Sequence, residues 1–134
     1  MRAALCILIV LFGASCGNKS PINKKLSGCD SLVITFNAPN SDSIMSMVNT
    51  TEKKAIRKLA GFLDGEKSEI SDCGYDGNMI FYKDGQQVMP VVFKFSEEAC
   101  RYFLFDADGK SSSTSMSNEA ADFLQSLKEG RSWY

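Results

Sequence analysis

Asp84-Gly85 lies between two runs rich in apolar residues, Asn78 to Lys83 and Gln87 to Phe95. A pair of this kind supplies the positive φ values of a two-residue turn whose twist suits antiparallel strands, so it fixes an antiparallel ladder in the middle of the chain. In the return strand Val91, Phe93 and Phe95 share one face, and Pro90, which has no N–H to donate, marks a bulge or an exposed edge. Upstream, Ser31 to Phe36 alternates, with Leu32, Ile34 and Phe36 on one side and Val33 and Thr35 on the other. The turn-rich Asn37 to Asp42 then leads to Ile44 to Val48, read as the second strand of a hairpin, although Met45 and Met47 fit a helix equally well. Downstream, Cys100 to Phe105 and Lys110 to Ser115 flank the turn Asp106 to Gly109. The last of these strands is polar throughout and reads as a solvent-facing edge.

Two stretches carry the other period. Ile56, Leu59, Ala60 and Leu63 fall at i, i+3, i+4 and i+7, behind Thr50 as N-cap and Glu52 in the first turn, and Gly65 ends the run. Ala120, Phe123, Leu124 and Leu127 repeat that spacing behind Ser117, with Gly130 closing the helix. The expected fold is therefore α+β, an antiparallel meander sheet of five or six strands with two helices packed on one face. Its expected core is Leu32, Ile34, Phe36, Ile56, Leu59, Leu63, Phe81, Phe93, Phe95, Phe123, Leu124 and Leu127. Strand, turn, strand, cap and helix occur twice, over Leu32 to Leu63 and Arg101 to Leu127, either by duplication or because the same local solution is used twice.

The amino terminus sets the compartment. Arg2 gives a positive start, Ala3 to Phe12 is an apolar run, and Gly13, Ala14 and Ser15 are small, the three parts of an export signal. The run is too short to span a bilayer as a helix, which takes roughly 20 residues. Gly13-Ala14-Ser15-Cys16 resembles the lipobox of bacterial lipoproteins, with Gly13 where a leucine is usual. That resemblance implies cleavage before Cys16, a lipidated and acylated Cys16 (palmitate being a typical acyl group), and a place in the cell envelope. Gly17 in place of an acidic residue after the acylated cysteine implies the outer membrane, facing the periplasm. At about 0.8 kcal/mol per buried methylene, such an anchor would be essentially permanent. The expected organisation is a signal peptide over 1–15, lipidated Cys16 and a flexible tether over 16–28, and a single domain over 29–134.

With Arg2 removed, 14 basic residues face 16 acidic ones, and no basic stripe suggests nucleic acid. Lys19, Lys24 and Lys25 are the one basic concentration, a solvated linker near anionic headgroups. Export also makes disulfides persistent. Cys6 leaves with the signal and Cys16 is taken by lipid, so Cys29, Cys73 and Cys100 remain and at most one internal bridge forms. Cys73 and Cys100 each lead into a strand at the same end of the sheet, which favours their pairing and leaves Cys29 over.

There is no histidine anywhere, which removes the commonest general base, the usual serine and cysteine triads and most catalytic zinc sites. Asp106-Ala107-Asp108-Gly109 lacks the third acidic position and distal glutamate of a calcium loop and reads as a turn. Glu97 and Glu98 read as a solvated turn, and Cys29 has no visible source of activation. No catalytic residue, metal site or cofactor is expected. The unusual feature is aromatic: Tyr75, Phe81, Tyr82, Phe93, Phe95, Tyr102, Phe103 and Phe105 lie within thirty-one positions, and alternation sends them to both faces of the sheet. Helices cover one face, so Tyr82 and Tyr102 on the other are a candidate partner surface. The reading is a non-enzymatic, membrane-anchored binding or accessory module with a protein partner on its sheet face. The alternatives are a small hydrolase or thiol enzyme using Cys29, Asp72 or Asp76, and a structural envelope protein.

Overall fold

The computed structural model describes residues 20–70 and 72–131. The expected export signal, Cys16 and the terminal Trp133 and Tyr134 lie outside the described residues. The fold is α+β, a six-stranded antiparallel sheet with three helices. Its strands are β1 (Ser31–Asn37), β2 (Ile44–Thr50), β3 (Gly77–Lys83), β4 (Gln86–Lys94), β5 (Tyr102–Ala107) and β6 (Lys110–Ser115). The helices are α1 (Pro21–Leu26), α2 (Lys53–Leu63) and α3 (Asn118–Lys128).

Asp84 and Gly85 take φ values of 51° and 76°, as the turn between β3 and β4 requires, and Asp108 and Gly109 repeat this between β5 and β6. The strand order is β2-β1-β3-β4-β5-β6. Strands β3 to β6 run as a meander, whereas α2 carries the chain from β2 past β1, so that β3 pairs with β1. The hairpins of the two hairpin–helix units thus sit at opposite edges, β1–β2 at one and β5–β6 at the other, whereas the helices reach across: α3 contacts β2, and Leu63 at the end of α2 meets Thr114 of β6.

Alternation places Leu32, Ile34, Phe36, Met79, Phe81, Met89, Val91, Phe93, Phe103 and Phe105 on one face. There they pack with Ile56, Leu59 and Leu63 of α2 and Ala120, Leu124 and Leu127 of α3 in one core. The expected core residues are buried, apart from Phe123, which is partly buried at the rim with Lys58 Nζ 4.4 Å from its ring centroid. Gly77 is required by close approach: a Cβ there would stand 2.1 Å from the Thr35 carbonyl oxygen and 2.8 Å from Phe93 Cζ.

Three local expectations are corrected. Pro21–Leu26, inside the stretch read as tether, is a helix whose N-cap Ser20 accepts from Asn23 N–H and whose Leu26 is buried in the core. Ile22 and Leu26, one turn apart, supply the apolar contact that the polar composition hid. The N-cap of α2 is Glu52 and not Thr50, which ends β2 and accepts the Glu52 N–H with its hydroxyl. Strand β6 is not an open edge: Ser68 N–H donates to Ser113 O at 2.9 Å, Ser115 N–H donates to Glu66 O at 2.8 Å, and Thr114 Oγ1 donates to Leu63 O. The chain leaving α2 therefore covers that edge.

Candidate functional site

Among the described residues, the helices leave one face of the sheet without a helical layer. Register sets its residues in rows: Met47, Thr35, Asn78, Val92, Leu104 and Ser113 across all six strands, with Val33, Ile80 and Pro90 beside them. Val33, Ile80, Val92 and Leu104 are half-buried and Met47 and Pro90 are exposed, which makes a shallow apolar stripe. Thr35 and Asn78 cross it, and the Thr35 hydroxyl donates to Asn78 Oδ1 at 2.8 Å, so the stripe's polar pair satisfies itself. Pairing between β4 and β5 ends at Val91 and Phe105. A concavity of about 370 Å³ opens there, lined by Ile80, Pro90, Val92, Leu104, Asp106 and Ser111 among others.

One end of this face is covered, and the covering is specific. A disulfide joins Cys73 to Cys100, Cα atoms 6.2 Å apart, and ties the loop before β3 to the start of β5. Beneath that loop lies Tyr102, whose hydroxyl donates to the Gly74 carbonyl. Tyr102 is 4% exposed. The expectation that it would offer a partner surface is therefore overturned, because a short loop pinned by the disulfide lies over its ring. Burial is the main reason the Tyr102 phenol sits above the ordinary range, with Lys94 opposing and Asp76 adding to the shift. Tyr82 stays on the open face, opposite Ser31 and half-buried.

Asp76 holds the covered end together. Its Oδ2 accepts from Phe95 N–H at 2.7 Å and Ser96 N–H at 2.8 Å, while Oδ1 accepts from Ser96 Oγ at 3.0 Å and Lys94 Nζ at 3.3 Å. Burial alone would raise this carboxyl, but those hydrogen bonds and the Lys94 charge outweigh it and hold the pKa below the ordinary value. Lys94 is buried and bridges Asp76 and Glu97, whose oxygens are both 3.3 Å away. Burial lowers its pKa, and the two carboxylates more than reverse that. Asp76 therefore has its acceptor positions filled by its own chain, a structural arrangement that leaves no carboxylate for a substrate.

Cys29 is buried and carries a free thiol. It lines a cleft of about 590 Å³ between α1 and α2, together with Asn23, Leu26, Asp30, Lys53, Ile56 and Arg57. Burial, then the charge of Asp30, push the thiol pKa up, with Lys83 opposing them. A thiolate nucleophile needs the opposite environment. Elsewhere Asp72 is exposed and apart from this cleft, and Asp106 accepts from Ser111 Oγ at 3.3 Å beside the β5–β6 turn. Among the described residues no three His, Cys, Asp or Glu side chains converge as metal ligands, and no helix is long and apolar enough to cross a membrane.

The sequence directed attention to the open face, where Tyr82 is half-buried and Tyr102 is buried. Its lining is aliphatic, and the signal was the second set of alternating residues, Val33 with Ile80 and Val92 with Leu104, once the strand order is known. Compared with protein-family models, curated proteins and solved structures, the chain matches none of them.

Proposed function

We propose that this chain is an exported lipoprotein, anchored through Cys16 in the bacterial outer membrane and facing the periplasm. Its folded part is a non-enzymatic binding or accessory module that takes a protein partner on the open sheet face. The observation that carries the reading is the apolar stripe of Val33, Ile80, Val92 and Leu104 on a face without a helical layer, bordered by the disulfide-pinned loop. Flat apolar area framed by polar groups is what a partner's side chains can bury. Anchoring is supported by the signal-like run ending in Gly13-Ala14-Ser15-Cys16.

The test places a photo-crosslinking side chain at Ile80 of the full chain in its native membrane and, as a control, at exposed Gln125 of α3. One protein should be trapped from Ile80 and not from Gln125, and Val92→Asp should abolish it without changing the melting temperature by more than a few degrees. Equal trapping from both positions, or from neither, refutes the open face as a binding site. Labelled palmitate should enter the wild-type protein and not a Cys16→Ala variant, which should also leave the membrane fraction. A thiol enzyme built on Cys29 has one observation in its favour, the cleft that the thiol lines. Against it stand the raised thiol pKa and a chain without histidine.

A further inference from the structure

The helical layer carries its charge unevenly. On α2 the buried residues are Ala55, Ile56, Leu59, Ala60 and Leu63, and the exposed ones are Lys53, Lys54, Arg57, Lys58 and Gly61. All of the exposed side chains but Gly61 are basic, and the helix contains no acidic residue. Lys53 with Arg57, and Lys54 with Lys58, stand one turn apart, a spacing at which like charges repel. Lys53 and Lys54 also sit where the helix dipole is already positive. Helix α1, packed beside α2, adds exposed Lys24 and Lys25 and again no acid. Lys58 leans over the Phe123 ring, but among the described residues none of the other five cations has a carboxylate within ion-pair distance. The exposed side of α3, by contrast, bears Glu119, Asp122 and Glu129. The fold by itself does not offset this concentration of positive charge.

We infer that the outer surface of α1 and α2 lies on a layer of anionic lipid headgroups and sets the orientation of the domain on its membrane. The inference rests on the anchoring through Cys16 proposed above and adds a second, electrostatic contact to it. The position of α1 favours a bilayer over a soluble polyanion. Ser20 caps α1, and the chain from Cys16 to Ser20 reaches at most about 14 Å when fully extended. So short a reach keeps α1 and α2 close to the headgroups, where each lysine or arginine strengthens binding to an anionic surface by about fivefold. Because α1 packs on the helix-covered side of the sheet, the anchor draws that side, and not the open face, toward the bilayer. The rest of a chain whose net charge is −1 has an excess of acidic residues, which the same surface repels. Attraction at α1 and α2 and repulsion elsewhere together select one orientation. In it the apolar stripe of the open face is turned away from the bilayer, where a protein partner can reach it.

A photo-crosslinking side chain at Gly61 reports from the middle of this surface without removing a charge, and a Cβ added there has nothing within 4 Å. Met47, exposed on the open face, is the comparison position. The full chain is bound to vesicles of phosphatidylcholine mixed with phosphatidylglycerol, and adducts with labelled phosphatidylglycerol are measured. Gly61 should give about fivefold more adduct than Met47, or better. Salt at roughly 0.5 M should remove the difference, because screening then acts within a few ångströms. Lys53→Gln, Lys54→Gln and Arg57→Gln combined should remove it too, without lowering the melting temperature. Lys67→Gln, Lys110→Gln and Arg131→Gln, which take away equal charge elsewhere, should preserve it. Equal yields at Gly61 and Met47, or a difference that survives the substitutions on α2, would overturn the inference. Adducts of Gly61 with polyglutamate in preference to lipid, when both are present, would assign the surface to an acidic protein and overturn it as well. Palmitate labelling scores the anchor separately. Palmitate without the Gly61 preference removes this contact and leaves the anchor, whereas the Gly61 preference without palmitate removes the anchor and leaves the contact.

Discussion

Removing the Asp76 carboxylate tests whether the covered end of the open face is built as described. In Asp76→Ala, the Phe95 and Ser96 N–H groups lose their acceptor, and buried Lys94 keeps only Glu97, whose side chain is 64% exposed. Each hydrogen bond to a charged group is worth about 1.5–3 kcal/mol, and breaking a fully buried ion pair costs about 3–5 kcal/mol. Water can reach part of this site, because the Asp76 side chain is 18% exposed. The expected loss is therefore about 3 kcal/mol, or roughly 12 °C in melting temperature for a domain of this size. Urea unfolding at neutral pH measures it. The pH dependence adds an independent check. The folded pKa of Asp76 is depressed, so its contribution is complete above the unfolded value of about 3.9 and is lost as pH falls through the folded pKa. Wild type and variant should therefore converge in stability in strongly acidic solution. A stability gap of constant size from neutral to acid pH, or no gap at neutral pH, refutes the assignment of Asp76 as the organising carboxylate.

Other consequences follow from the same geometry. Gly77→Ala should lose about 3 kcal/mol or fail to fold, because the added methyl meets the Thr35 carbonyl and the Phe93 ring; equilibrium unfolding that matches wild type refutes the close approach. Cys100→Ser should lower stability by roughly 3 to 4 kcal/mol, from the 27-residue separation that the bridge closes, and should raise Tyr102 exposure to solvent by fluorescence quenching. Cys29 should react with iodoacetamide far more slowly than a free thiol at pH 8 and at full rate once the chain is unfolded, because burial raises its pKa and shields the sulfur. Rapid labelling of the native protein contradicts that.

What the sequence disclosed depended on whether an element's partner was local. The two long helices and the three hairpins rest on neighbours a few residues away, so periodicity and Asp-Gly turns located them. The position of β3 beside β1 rests on a ladder running from Ser31 opposite Tyr82 to Phe36 opposite Gly77, residues far apart in sequence, and nothing near either strand announces it. Helix α1 escaped notice because one apolar turn, Ile22 and Leu26, holds it against the core while its other residues are polar or face solvent. Asp76 escaped for a different reason. Its strongest partners are backbone N–H groups, which every non-proline residue carries, so no pattern of side chains could single it out. Tyr102 was placed on the correct face by alternation, yet its burial depends on where a loop of no regular period comes to rest.

Among the described residues the two edges of the sheet are treated in opposite ways. Topology decides which edge is covered: the connection from α2 to β3 must return across the sheet, and on the way it seals β6. Composition was free to respond, and a solitary protein would put its polar strand on the edge left open and its apolar strand under the cover. The observed arrangement is the reverse, with Lys110 to Ser115 beneath the connection and Ile44 to Val48 outside it. Buried hydroxyls of Ser113 and Thr114 are affordable there because Ser68 and the Leu63 carbonyl satisfy them. Methionine and isoleucine side chains in water on β2 gain nothing from this fold by itself.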